Sequence, residues 1–231
     1  MILGHYAVAL AAKRAAPDTS LGTLVLAAQW LDHIWPVFLL LGWERVRIAP
    51  GHTAANPLEF VHYPISHSLL AVAGWALLLG AVYFAARRNR AAAWVVGAAV
   101  ASHWFLDVPM HTPDLPLWPG ASPKVGGGLW NWIPATIAVE LGLFAAGLAI
   151  YLRTTRAVDR IGSWGLGVMA ALLGLVFVSG FFSPPPADVT SLAFGALGLW
   201  LFVGLGYWVD RHRVLRAATE EVPASSHVAL A

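Results

Sequence analysis

Six long apolar stretches run through the sequence and limit what the chain can fold into. Each has about the 20 residues that an α-helix needs to cross the hydrocarbon core of a bilayer. Only 11% of the 231 residues are charged and 58% are hydrophobic, a composition unlike that of a soluble domain. The sequence therefore predicts an all-α, polytopic membrane bundle, a single domain over 1–216 with six transmembrane helices near 20–42, 66–86, 91–109, 132–152, 161–182 and 189–209.

The N-terminal segment, residues 1–15, is too short to cross a bilayer and too apolar to lie freely in water. Residues 17–20 (Pro-Asp-Thr-Ser) are typical of a turn followed by a helix N-cap. We therefore expect a half-length helix that folds back against the first span. At about 1.5 Å of rise per residue, His5 on this helix and Asp32 on the first span reach a similar depth near mid-membrane.

The basic residues are distributed unevenly between the two sides of the predicted bundle. Most lie near residues 13–14, 87–90, 153–160 and 211–216, whereas the alternate connections carry only Arg45, Arg47 and Lys124. By the positive-inside rule, both termini are expected in the cytoplasm. The tail 217–231 has no periodic apolar pattern, so we expect it to be disordered. The net charge of +2 is no signal for nucleic-acid binding, and the expected partners are membrane lipids, with the oligomeric state left open.

The sequence contains no cysteine, so disulfide partners and thiolate metal ligands are both excluded. A metal ion would have to be held by histidines and carboxylates. Such a ligand set favours zinc, with manganese or iron as alternatives.

Ionisable side chains within the predicted spans are few, and such residues are functional candidates because they are costly to bury in a membrane. His103 and Asp107 are four residues apart and therefore lie on one helix face. Asp32 and the adjacent His33 must face different directions, and we favour Asp32 as the ligand because its carboxylate is costlier to bury alone. The predicted metal ligands are His5, Asp32, His67, His103 and Asp107.

Two further residues are predicted to handle protons near this set. Glu140 reaches a depth close to that of Asp32 and could act as a general base or orient a ligand. His111 lies four residues after Asp107, but Pro109 places it at the mouth of the site. Two alternatives remain open: a protein that binds or passes metal ions or protons without catalysis, and a scaffold held by a structural His–Asp network. The predicted interiors of spans five and six carry no ionisable residue, which disfavours a conduit.

The connection 110–131 is rich in proline and glycine, including three consecutive glycines at 126–128. Proline fixes one part of such a segment and glycine frees the other. The composition is compatible both with a mobile lid and with an ordered connector.

The motifs around the two central histidines resemble those of the bacterial inner-membrane metal-dependent hydrolases, also labelled LexA-binding inner-membrane-like proteins. That family has His-Arg-Gly-x-Thr-His-Ser opening one helix, and here His62, Ser66, His67 and Ser68 match, with serine in place of threonine. Its second signature, Ser-His-x-x-x-Asp, is matched by 102–107. The two serines beside His67 are most simply interpreted as helix caps.

The resemblance covers about residues 1–150 and includes His5 and Asp32. The sequence departs from the family pattern at Tyr63-Pro64, where the family has Arg-Gly, and at His33-Ile34, where Asp-Ile-Asp is common. The resemblance implies a protein of the bacterial inner membrane with a divalent metal site. It also implies metal-dependent hydrolysis of a lipid or another membrane-associated substrate.

Overall fold

The chain folds into a bundle of mainly long, apolar helices. The computed structural model describes residues 1–216, and the predicted disordered tail, 217–231, lies outside the described residues. The helices in chain order are α1 (Leu3–Ala15), α2 (Leu21–Ala28), α3 (Trp30–Leu40), α4 (Pro64–His67), α5 (Leu69–Arg87), α6 (Arg90–Met110), α7 (Ile133–Thr154), α8 (Arg160–Phe182), α9 (Val189–Leu197) and α10 (Trp200–Arg211). The predicted all-α bundle is confirmed.

Five helical segments are long and apolar enough to cross a membrane: α5, α6, α7, α8 and the run Val189–Arg211 formed by α9 and α10. The predicted first span, 20–42, is instead a bent pair, because α2 and α3 meet at an angle of 56°. The helix is interrupted at Gln29, whose φ and ψ are −103° and 9°. Beside this break, the carbonyl oxygen of Ala28 accepts a hydrogen bond from His103 Nδ1 at 2.9 Å. Within residues 1–216, five segments are therefore candidate spans, or six if the bent pair is counted as one.

The N-terminal helix α1 is the half-length element that the sequence predicts. Ser20 begins α2 as expected, since its hydroxyl accepts a hydrogen bond from Thr23 N at 3.2 Å. α1 packs against α2, α6 and α7. Its approach to α7 is close because Gly147 lacks a side chain, and a Cβ there would lie 2.6 Å from the Cα of Ala7. α1 is therefore enclosed by the longer helices.

The connections at one end of the bundle are ordered. β1 (Arg45–Ile48) pairs antiparallel with β2 (Leu58–His62), and β3 (Leu115–Pro116) pairs with β4 (Lys124–Val125). In the predicted lid or connector, Gly127 N donates to Val108 O at 2.6 Å, and a Cβ at Gly127 would lie 2.8 Å from Pro109 O. The glycines thus allow close packing on the end of α6, so 110–131 is an ordered connector. We call this end of the bundle the hairpin end.

The opposite end carries the clusters of basic residues, and we call it the basic end. β5 (Thr155–Ala157) and β6 (Arg213–Leu215) pair antiparallel there. Lys13, at the end of α1, is buried and its Nζ lies 2.8 Å from Asp210 Oδ2 and 2.9 Å from Thr19 O. This ion pair joins α1 to α10. The basic end is therefore tied together by a strand pair and a buried charge pair.

Candidate metal centre

The five predicted ligands come together in one cluster, arriving from α1, α3, α4 and α6. Both carboxylate oxygens of Asp107 face imidazoles. Its Oδ1 lies 3.2 Å from His5 Nε2, and its Oδ2 lies 3.3 Å from His103 Nε2 and 4.0 Å from His67 Nε2. The three histidines and Asp107 are buried. The i, i+4 spacing of His103 and Asp107 on α6 brings this pair to one face, as the sequence predicts.

Asp32 lies on the other side of the two central histidines. Its Oδ1 is 3.7 Å from His67 Nε2 and 3.6 Å from His103 Nε2, and a quarter of its side chain (25%) remains exposed. His33, the alternative at this position, is buried and its ring stacks on Trp200 at 4.6 Å. The turn of α3 therefore directs Asp32 toward the cluster and His33 away from it.

The spacing of the ligand atoms fits a divalent cation. Ligands about 2.0–2.2 Å from a tetrahedral zinc ion lie about 3.3–3.6 Å from one another. Two overlapping sets have ligand atoms within 4.8 Å of one another: His5, His103 and Asp107, and Asp32, His67 and His103. Since His103 belongs to both sets, the two groups form one centre.

The outer nitrogen of His103 is committed to the protein backbone. A carbonyl oxygen only accepts, so the hydrogen bond to Ala28 O places a proton on His103 Nδ1. In the neutral ring, Nε2 then carries a lone pair directed at the two carboxylates. Ligating histidines typically have this second contact, which fixes both the tautomer and the orientation of the ring.

His67 is oriented through a hydroxyl and a buried carboxylate. Ser66 Oγ donates to Glu44 Oε2 at 2.6 Å, so it is left to accept from His67 Nδ1 at 2.7 Å. Glu44 Oε1 accepts the backbone N–H groups of Ile65 and Ser66, each at 2.7 Å. The relay Glu44–Ser66–His67 therefore leaves His67 Nε2 free to face the centre. Ser68 is the serine that caps α5, with Ala71 N at 3.3 Å from its hydroxyl.

His111 has a similar arrangement at the edge of the centre. Its Nδ1 lies 2.9 Å from Asp114 Oδ1, and its Nε2 lies 3.8 Å from Asp107 Oδ2. Tyr63 donates to the same Asp114 oxygen at 2.6 Å, and Thr112 donates to the other at 2.8 Å. Burial alone would raise the pKa of Asp114, but these hydrogen bonds outweigh it and hold the pKa below its usual value. His111 is buried, although the sequence places it at a mouth.

Several buried nitrogens of the centre have no hydrogen-bond partner among the described residues. They are both ring nitrogens of His5 and the Nε2 of His103. A buried polar atom without a partner costs about 1–3 kcal/mol. A cation bound between the imidazoles and carboxylates would give His5 Nε2 and His103 Nε2 a partner, so the donor set fits a metal ion.

Glu140 anchors the N-terminal end of α1. Its two carboxylate oxygens accept the backbone N–H groups of Ile2 and Gly4, each at 2.9 Å. A carboxylate at a helix N-terminus is favourable, because the unpaired N–H groups and the helix dipole are positive there. The amino group of Met1 lies 2.6 Å from Asp107 Oδ1. These contacts give Glu140 a role in positioning His5, and its predicted role in proton transfer stays a prediction.

Sequence reasoning missed three contributors to the centre. Glu44 and Asp114 lie in connections without hydrophobic periodicity, so no pattern indicates what they contact. Ser66 lies inside a recognised motif, but its interpretation as a cap is wrong because its hydroxyl bridges a carboxylate and a histidine. The sequence signal for this role is the position of Ser66 directly before His67, where its hydroxyl can reach the imidazole.

A cavity of about 400 Å³ adjoins the centre. This volume lies within the range of about 300–1,000 Å³ that is typical of small-molecule sites. Its polar wall includes Asp32, His67, Asp107, His111 and Glu140. The cavity therefore reaches the edge of the centre, where Asp32 is the one predicted ligand that is not buried.

Comparison with protein-family models, curated proteins and solved structures finds no match. The family resemblance thus depends on the motif residues alone. The geometry of the centre and its cavity carries the functional argument.

Proposed function

We propose that this protein is a metal-dependent hydrolase acting on a membrane-associated substrate. The observation that carries the proposal is the joint orientation of His67, His103 and His111. Each has its Nδ1 held by an acceptor, and each directs its Nε2 toward Asp107 beside a substrate-sized cavity. With each Nδ1 proton used by its acceptor, a neutral ring presents a lone pair at Nε2, and a network that served only to join helices would not direct three such nitrogens at one carboxylate.

In this proposal His5, Asp32, His67, His103 and Asp107 hold the ion, with zinc favoured and manganese or iron as alternatives. A divalent ion bound there would supply Lewis acidity and lower the pKa of water at the site to about 7. His111 accepts the proton of the attacking water at Nε2 and returns it to the leaving group when the scissile bond breaks. Asp114 keeps His111 in the tautomer that this transfer requires.

The proposed location is the bacterial inner membrane, with the basic end in the cytoplasm. The support is the concentration of Lys and Arg at that end, as the positive-inside rule describes. The hairpin end would then face the periplasm. To test this orientation, single cysteines are introduced at His52 and at Arg88, and intact cells are treated with a membrane-impermeant thiol reagent. We expect labelling at position 52, and labelling of position 88 alone would contradict the orientation.

Metal analysis of the purified protein is the first test of the proposed function. We expect at least one divalent ion per chain in the wild type and a loss of most of it in the double variant His103→Ala, Asp107→Ala. The exposed His52→Ala is the matched control and should keep the metal. Equal, near-zero metal in the wild type and the double variant after reconstitution with zinc, manganese or iron would leave only the structural network.

Hydrolysis itself is tested with chromogenic esters and phosphoesters presented in micelles. We expect turnover that is abolished by chelation, restored by the metal, and lowered by at least about 100-fold in His111→Ala, the typical size of a general acid–base contribution. Metal binding without turnover of any ester, amide or phosphoester would favour the non-enzymatic alternative.

A further inference from the structure

The cavity beside the metal centre has a largely apolar wall outside the cluster. Apart from Asn56, Thr136, Ser179 and Ser183, the rest of its lining is apolar. It includes Trp35 of α3, Phe177 and Phe181 of α8, Leu192 of α9, and Leu199 between α9 and α10. The cavity thus has a polar end at the metal centre and a mostly apolar remaining wall, as a site for an amphiphile requires.

The helices α7 and α8 both line this cavity, yet they pack poorly against each other. α7 packs on α1 and α8 packs on α10, and within the described residues direct α7–α8 contact is sparse. Thr136 of α7 and Ser179 and Gly180 of α8 form part of the cavity wall between them. A Cβ added at Gly180 would meet nothing within 4 Å. The cavity is therefore bordered here by two helices with little direct contact, which leaves room for a lateral opening between them.

The surfaces on both sides of this opening are apolar and exposed. Leu141 of α7 is 48% exposed, and Leu175 and Phe182 of α8 are 64% and 84% exposed. In a bilayer, side chains of this kind face hydrocarbon, since exposure to water would be unfavourable. A molecule entering between α7 and α8 would therefore come from the membrane.

We propose that the cavity binds the acyl chain of a membrane lipid, which enters laterally between α7 and α8. The chain lies along Phe177 and Trp35, and the carbonyl of its ester or amide reaches the polar end at Asp107 and His111. Binding of the chain depends only on the cavity. Cleavage at the carbonyl rests on the proposed hydrolase function, and it would release a fatty acid and the alcohol or amine that carried it.

Photo-crosslinking tests occupancy without requiring turnover. The full chain is reconstituted into vesicles containing a phosphatidylglycerol with a diazirine on one acyl chain, and adducts are mapped by mass spectrometry. Trp35 and Phe177 are only 6% exposed, so bulk lipid cannot reach them, and we expect adducts at both. Adducts confined to exposed residues such as Phe182 would overturn the proposal.

A plugged variant gives the matched comparison. Gly180→Trp fills the opening and should lower the adduct yield at Trp35 and Phe177 at least fivefold. Gly167→Trp is the control, because Gly167 is an exposed position of the same helix, lies outside the cavity and also has nothing within 4 Å of an added Cβ. Equal yields in the two variants would overturn lateral entry. If Gly180→Trp elutes as an aggregate, Gly180→Leu is used in its place.

The same measurement in His103→Ala, Asp107→Ala separates the two proposals. Adducts at Trp35 and Phe177 that persist in this variant support chain binding, whether or not the wild type hydrolyses anything. If the variant still elutes as the folded protein but these adducts are lost, the proposal that the cavity binds the acyl chain without help from the metal centre is overturned. In an active protein, kcat/KM should rise at least tenfold from acetyl to decanoyl p-nitrophenyl esters, and Gly180→Trp should remove that rise.

Discussion

Ser66 and Ser68 are both buried and lie two residues apart, but only Ser66 contacts a candidate metal ligand. Ser66→Ala removes the acceptor of His67 Nδ1 and the donor to Glu44, at 2.7 and 2.6 Å. Removing such an outer contact typically lowers metal affinity by about 10–100-fold. That range corresponds to about 1.4–2.7 kcal/mol of binding free energy.

Ser68→Ala is the control because it costs stability without touching a histidine. It removes a hydrogen bond to Pro64 O at 2.6 Å and the cap of α5, and loss of a cap costs about 0.5–2 kcal/mol. Ser66→Ala leaves Glu44 Oε2 without the hydroxyl donor, which should lower the free energy of unfolding by about 1–3 kcal/mol. The two variants should therefore lose similar stability, measured by thermal unfolding in detergent.

Metal affinity separates the two variants. It is measured by titration of the metal-free protein with zinc against a competing chelator. We expect Ser66→Ala to bind about 10–100-fold more weakly than the wild type. Ser68→Ala should stay within about threefold of it, as expected for a change outside the ligand shell. Equal affinities in the two variants would refute the argument that the Glu44–Ser66 relay orients His67 for a metal ion.

Three further predictions concern packing and charge. Gly147→Val should displace α1 and lower the melting temperature strongly, because its Cβ would collide with Ala7, whereas Gly142→Val on the same helix meets nothing within 4 Å and should change it little. Lys13→Ala leaves Asp210 without its positively charged partner, with only the hydroxyl of Tyr151 still donating to it, and should cost about 3–5 kcal/mol in urea unfolding. The loss should be smaller in the double variant in which leucine also replaces Asp210. Asp114→Asn should lower turnover at least about tenfold, because it alters the tautomer of His111. The metal content should stay unchanged, because Asp114 contacts none of the proposed metal ligands. A parallel loss of metal would contradict that role.

Hydrophobicity was sufficient to predict the bundle, but it could not predict the break in the first span. The residues around Gln29 are as apolar as those of the continuous helices, so the mean hydropathy along the sequence does not change at the break. The break depends on a contact with α6, since the carbonyl of Ala28 beside it meets His103. Such a contact between helices distant in sequence leaves no local pattern.

The candidate ligands could be found from the sequence for a different reason. An ionisable residue in an apolar helix stands out by composition alone, as His103 and Asp107 do. Glu44 and Asp114 do not stand out, because charged residues are common in connections. Their roles arise only when the β1–β2 hairpin and the end of α6 bring them beside His67 and His111.

The docking of α1 on α7 has a consequence for how the protein is made. Ile2 and Glu140, which hold this contact, are 138 residues apart. α1 is synthesised before α7, the helix that receives it, and α5 and α6 lie between them in the chain. His5 therefore cannot reach Asp107 in its final position until most of the chain has been synthesised. If the centre binds a metal ion as proposed, loading would be a late step of biogenesis, and a stalled or truncated chain would lack a complete centre.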